Sequence, residues 1–331
     1  MKLTVLGPGC WGLTIAKLLN NNFDEITVWG RKQDITEELK LQKKVEKPLA
    51  IELDKKVEIT SDLKSAIEGA EIILLVVSTG GIRPVCEQIK ELGGLEKNQI
   101  LLNLSKGIEL PSLKRMSEVI LEVLPDINFG VLSGPTLARE IIEGKPTLAT
   151  IASSDLNIAK RAQELLNVPS LFRLYTNDDV IGVELGGSLK NVIAIASGFA
   201  SSMGLGDNLR GSLLTRGMAE MARIAIALGA KVPTLYGLSG LGDLIATASS
   251  PYSRNYTVGS MLAKGQKIDD ILANLGSVAE GVKTSKALCT LADKLNIEVP
   301  VARAIYEAVY TDITPEEVVD KLMNRKLKVE D

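Results

Sequence analysis

The chain has 331 residues with 38 basic and 41 acidic side chains, a net charge of −3; 45% of its residues are apolar and 24% charged. This is the profile of a globular protein of about two domains, and its balance of charge excludes a global field for a nucleic-acid or membrane partner. It contains no histidine, and only three cysteines, Cys10, Cys86 and Cys289. A Ser-His-Asp or Cys-His engine and a His-ligated metal site are therefore excluded, no metal site is expected, and acid–base chemistry near neutral pH falls to a lysine or a carboxylate.

The chain opens on the short run Met1 to Leu6 and meets Gly7 at once. That is too short for an export signal, and the apolar run 72–77 is too short to span a bilayer, so a cytoplasmic protein without membrane insertion is expected. Strands are predicted at 3–6, 26–29, 72–77, 100–104, 129–132 and 148–152, with helices between them at 11–20, 35–43, 63–68, 82–92 and 113–124, and a further helix at 156–166. Continuous apolar runs alternating with amphipathic stretches predict a doubly wound α/β sheet buried on both faces. After Asn177 the β-like runs stop. Helices are predicted at 179–199, 213–228, 257–263, 268–275, 284–295, 301–310 and 315–323. The division expected is a nucleotide-binding Rossmann-type domain over 1–177 and an all-helical domain over 178–331.

Gly7-Pro8-Gly9-Cys10-Trp11-Gly12 is a G-x-G-x-x-G between a strand and a helix. In that setting the first glycine allows the tight turn, the second lets a pyrophosphate approach the backbone, and the third lets the helix pack closely. The second strand ends in Gly30-Arg31-Lys32 rather than in a carboxylate. Arg31 suits a 2′-phosphate, which favours NADP or both coenzymes. Ser105-Lys106-Gly107 and Ser133-Gly134-Pro135-Thr136 follow strands, where an open α/β sheet binds its ligand; Pro135 and Thr136 are expected to start a helix. The paired glycines Gly186-Gly187 lie inside a predicted helix and imply a close neighbour. Lys190, among apolar residues, either snorkels to solvent or is a functional group of shifted pKa. Gly240-Leu241-Gly242-Asp243 places a carboxylate beside small residues, and Ser253-Arg254-Asn255 offers a set of donors for a phosphate.

Together with Leu189-Lys190-Asn191-Val192-Ile193-Ala194 and Ala279-Glu280-Gly281-Val282-Lys283-Thr284, these motifs in this order resemble the bacterial NAD(P)-dependent glycerol-3-phosphate dehydrogenase family. The resemblance implies reversible conversion of dihydroxyacetone phosphate and NAD(P)H to sn-glycerol 3-phosphate, feeding glycerophospholipid synthesis, in a homodimer. It implies that Lys190 exchanges the proton; that Lys106, Gly134, Thr136, Lys190, Asp243, Ser253, Arg254 and Asn255 line the substrate; and that Cys10, Trp11, Arg31, Lys106, Ala138, Arg254, Val278 and Glu280 touch the coenzyme, beside Gly7, Gly9, Gly12 and Lys32 of the fingerprint and strand tip. Asp243 either accepts from a substrate hydroxyl or orients Lys190. Pro8 and Cys10 depart from the usual Gly-Ala-Gly-Ser, and Val77-Ser78-Thr79 from the usual Val-Pro-Ser. A ketopantoate-type or β-hydroxyacid dehydrogenase, and a non-enzymatic nucleotide sensor, are the competing readings.

Overall fold

A computed structural model describes residues 1–275, 279–327 and 329–330. Its strands are β1 (Lys2–Leu6), β2 (Glu25–Trp29), β3 (Lys44–Val45), β4 (Ile51–Glu52), β5 (Val57–Thr60), β6 (Ile72–Leu75), β7 (Ile100–Asn103), β8 (Asn128–Ser133), β9 (Thr147–Ala152) and β10 (Phe172–Asn177). Eight of them form one sheet in the order β10-β9-β8-β7-β6-β1-β2-β5, and β3 pairs with β4 apart from it. Chain order reverses at β1, which lies between β2 and β6, and such a switch point opens the ligand crevice at the strands' carboxyl ends.

The interior strands were legible because they are buried on both faces: all four residues of β6 and all four of β7 are buried. The edge strands β5 and β10 were not predicted. Their burial alternates along the chain, as one open face requires, so neither shows a continuous apolar run. The sheet is parallel except at one end, where β9 runs antiparallel to β8 and β10 follows β9.

Several helix starts differ from expectation. After Gly134 the helix begins at Ala138, not at Pro135. The helix expected from 213 begins at Gly206, and its first residues are largely exposed and carry no apolar stripe. The helix expected from 257 begins at Arg254, with the Ser253 hydroxyl accepting from the Tyr256 amide as its cap.

The helix Val180–Ser202 is the axis of the second half. Asp179 caps it through the Gly182 amide at 2.8 Å, and its other carboxylate oxygen accepts from the Lys231 amide at 2.8 Å. By length and composition it could cross a membrane, yet it is almost wholly packed inside the protein. The paired glycines have the close neighbours expected of them. A Cβ on Gly186 would fall 2.7 Å from the Ser239 carbonyl oxygen, and one on Gly187 would collide with the Ser133 hydroxyl.

Near its start this helix enters the sheet layer. Val183 packs with Ile73, Leu101 and Val131. Glu184 accepts from the Ser117 amide at 2.7 Å, the Ser117 hydroxyl at 2.6 Å and Arg115 Nη1 at 3.2 Å. Burial pushes the Glu184 carboxyl up, and these donors oppose it. Glu184→Ala strands the other half of a buried pair, so it is expected to cost about 3–5 kcal/mol. Urea unfolding measures this; an unchanged midpoint would show the network to be dispensable.

Candidate active site

The loops after β1, β6, β7 and β8 emerge on one edge of the sheet, because these neighbouring strands are mutually parallel. The first is the glycine turn. Gly7 has φ +129°, and a Cβ there would lie 2.7 Å from the Val76 carbonyl oxygen; one on Gly12 would strike the Gly7 carbonyl; one on Gly9 would meet open space. Gly9 precedes the helix Cys10–Leu18 and provides no side-chain cap. First-turn amides without a capping side chain, beside an unfilled approach, suit a dinucleotide diphosphate. Pro8 removes one donor, but its ring packs where a Cβ on Gly30 would otherwise sit. Cys10 and Trp11 are half-buried, and Arg31 and Lys32 are exposed beyond β2 with no ion pair among the described residues.

The loop after β7 is pinned from several sides. The Asn103 side chain bonds both the amide and the carbonyl of Ser105, and the Ser105 hydroxyl donates to the Val77 carbonyl at 2.5 Å. Lys106 is thereby aimed across the crevice. Its Nζ donates to the Gly134 carbonyl at 3.0 Å and to Asp243 Oδ2 at 2.7 Å. Gly134, with φ +147°, lies against Ala149, and the Thr136 hydroxyl donates to the Gly134 carbonyl at 3.1 Å.

Lys190 enters from the helical side. It does not snorkel: only 5% of the residue is exposed. Its Nζ donates to Asp243 Oδ1 and, at 2.5 Å, to the Thr247 hydroxyl. Burial drives the Lys190 ammonium down to about 7; the Asp243 carboxylate holds it up, and the Lys106 charge pushes it further down. The Asp243 carboxylate thus bridges two lysines, one from each half of the chain. Its bond to Lys190 is the contact that an orienting role requires.

The three side chains of Ser-Arg-Asn have different surroundings. The Ser253 hydroxyl caps its helix by accepting from the Tyr256 amide and keeps its own O–H to donate. Asn255 is buried, donating to Asn191 Oδ1 at 2.9 Å and accepting from the Gly281 amide at 3.1 Å. Arg254 alone is exposed, with no ion pair among the described residues. Ala138 opens its short helix. Glu280 accepts from the Thr79 hydroxyl at 2.9 Å, joining the loop after β6 to the helical half. Val278 lies outside the described residues.

Thr247 was not anticipated. Its signal was its place four residues after Asp243, which puts both on one helical face. A cavity of about 700 Å³ in the helical half is lined by none of these lysines or carboxylates.

A glycine turn shaped for a dinucleotide, with a buried lysine of lowered pKa in the helical half, fits an NAD(P)-dependent dehydrogenase with a sheet layer and a helical layer. The sequence narrows this further. Residues 2–159 match the family described as NAD-dependent glycerol-3-phosphate dehydrogenase N-terminus, and residues 179–320 match the corresponding C-terminus. The chain belongs to the NAD-dependent glycerol-3-phosphate dehydrogenase family. It is 41% identical to the glycerol-3-phosphate dehydrogenase [NAD(P)+] of Thermoanaerobacter sp. (strain X514), covering 100% of this chain and 99% of the relative. It is 41% identical to the enzyme of the same name from Lysinibacillus sphaericus (strain C3-41), covering 99% and 98%. The crystal structure of glycerol-3-phosphate dehydrogenase from Coxiella burnetii superposes with a TM-score of 0.91 at 32% identity, covering 98% of this chain and 99% of that one. A ketopantoate reductase from Ralstonia eutropha superposes at 0.61 with 16% identity, covering 98% of this chain and 100% of that one, which shows a shared fold alone.

Proposed function

We propose that this protein interconverts dihydroxyacetone phosphate and sn-glycerol 3-phosphate, with Lys190 exchanging the proton at the substrate oxygen. The observation that carries this reading is a buried lysine titrating near 7, held on a carboxylate at the crevice edge of the sheet. Bound NAD(P)H supplies the hydride. The turn Gly7, Gly9, Cys10, Trp11 and Gly12 and the contact residues Ala138 and Glu280 hold the coenzyme, and Arg31 and Lys32 favour the form with a 2′-phosphate.

Asp243 fixes the Lys190 ammonium in place and neutralises part of the charge that Lys106 adds. In reduction, Lys190 gives its proton to the forming alkoxide; in oxidation, its free amine takes the hydroxyl proton. Lys106, Gly134 and Thr136 line the reacting end, and Arg254 takes the substrate phosphate, a remote handle whose binding orients the reacting carbon.

Absorbance at the reduced-nicotinamide band, with NADH and then NADPH, tests the reading. Oxidation driven by dihydroxyacetone phosphate is expected; preference for 2-keto or 3-keto acids would sink it, and no oxidation with any substrate would return the sensor reading. The sign of the pH dependence follows from the protonation state each direction needs. Reduction needs the ammonium form, so its kcat is expected to fall as pH rises through about 7. Oxidation needs the free amine, so its kcat is expected to rise over the same range. Parallel profiles in the two directions would remove Lys190 from the role.

A further inference from the structure

One guanidinium near the glycine turn was absorbed by none of this. Arg139 sits in the first turn of the short helix Ala138–Ile142, which packs on the helix Cys10–Leu18 that opens from the fingerprint. It is exposed, and its side chain forms no ion pair or hydrogen bond among the described residues. Its guanidinium is nevertheless held in place, 4.6 Å over the ring centroid of Tyr252. A cation–π contact of this kind orients the guanidinium plane while leaving its N–H donors free.

Tyr252 belongs to the helical half and stands two residues before Arg254, whose guanidinium is likewise exposed and without an ion pair among the described residues. Burial raises the pKa of the Cys10 thiol, and the charges of Arg254 and Arg139 oppose the rise. One guanidinium from each half of the chain, neither in an ion pair among the described residues, therefore acts on the helix that opens from the fingerprint. Positive charge gathered without carboxylate partners at a helix start is arranged for an anion.

We propose that Arg139 is a further ligand of the coenzyme diphosphate, locked in position by Tyr252. The proposal rests on the dehydrogenase reading above and deepens it. It also offsets the departures in the fingerprint: Pro8 lacks an amide donor and Cys10 is a weaker donor than serine, and a guanidinium supplies charge-assisted donors beside them. The diphosphate is common to both coenzymes, so Arg139 acts on both alike, whereas Arg31 at the strand tip acts on the 2′-phosphate alone.

The test is titration of the full-length protein with NADH and with NADPH, followed by nicotinamide fluorescence, in wild type, Arg139→Gln, Tyr252→Leu, Tyr252→Phe and Arg31→Gln. Arg139→Gln is expected to raise Kd for NADH and for NADPH by the same factor, about ten- to a hundredfold for the loss of charge-assisted bonds. Tyr252→Leu is expected to weaken both in the same direction by less, and Tyr252→Phe to restore binding because the ring is kept. Arg31→Gln is expected to weaken NADPH alone. An unchanged Kd in Arg139→Gln overturns the proposal, as does a rise confined to NADPH, or an unchanged Kd accompanied by a raised KM for dihydroxyacetone phosphate, which would make Arg139 a substrate residue. Failure of the wild type to bind either coenzyme would instead overturn the dehydrogenase reading itself. All three substituted side chains are exposed, so melting of the coenzyme-free variants at the wild-type temperature confirms that binding alone has changed.

Discussion

Lys190→Met is expected to lower kcat about 10²- to 10⁴-fold in both directions, the usual contribution of a positioned acid or base, with coenzyme affinity unchanged. Methionine has nearly the length of lysine and suits an apolar surrounding, so the buried position is filled rather than emptied. The Lys106 to Asp243 pair also survives the substitution, since it uses the other carboxylate oxygen. The decisive companion is Lys190→Arg. If Lys190 served only to neutralise Asp243, a guanidinium would do as well, and activity would return. A guanidinium stays protonated throughout the working range, so it cannot take the proton back from a substrate hydroxyl. Lys190→Arg is therefore expected to be as poor as Lys190→Met in oxidation. Single-direction assays of the two variants, with coenzyme Kd measured alongside, check this; wild-type oxidation by Lys190→Arg would end the proton-transfer role.

Asp243→Asn is expected to have the second large effect, and by a different route. The amide keeps the shape of the carboxylate but leaves two lysines facing one another without their shared counter-charge. Asp243 is the main influence holding the Lys190 ammonium up against burial. Without it the lysine falls below 7, and each unit of fall removes about tenfold of the protonated amine at a fixed higher pH. The reductive profile should then move to lower pH, and activity lost at neutral pH should partly return in mild acid. Breaking one side of a buried ion pair also costs about 3–5 kcal/mol, so a drop in melting temperature should accompany the shift. A purely structural carboxylate would lower melting without moving the profile, and that outcome would sink the assignment.

What could be read before the structure divides along physical lines. The glycine turn, Lys106 and Lys190 were legible because each is local: a fixed spacing after an apolar run, or a charge set among apolar neighbours. The absence of histidine pointed further, by leaving a lysine or a carboxylate to move the proton. The bridge from Asp243 to Lys106 and Lys190 spans 137 and 53 residues of chain, and no periodicity encodes such a meeting. The local surroundings of Ser253 and Asn255 were not legible either: the Ser253 hydroxyl caps a helix as an acceptor and keeps its own donor, and Asn255 reaches Asn191 and Gly281, partners 64 and 26 residues away. Edge strands β5 and β10 escaped because a half-exposed strand carries too few apolar residues to stand out. The family resemblance carried the order of motifs, and the matches over 2–159 and 179–320 bear it out.

The reversal of β9 and β10 has a mechanical meaning. It returns the chain to the body of the sheet, so that the helix Val180–Ser202 starts among sheet side chains, at Val183 and Glu184, and reaches the crevice nearly two turns later with Lys190. The seam between the two halves is therefore a rigid rod rooted in both, with no slack tether at 177. Any breathing that admits substrate must bend that rod or slide its neighbours along it, and either motion carries the proton-bearing amine with it.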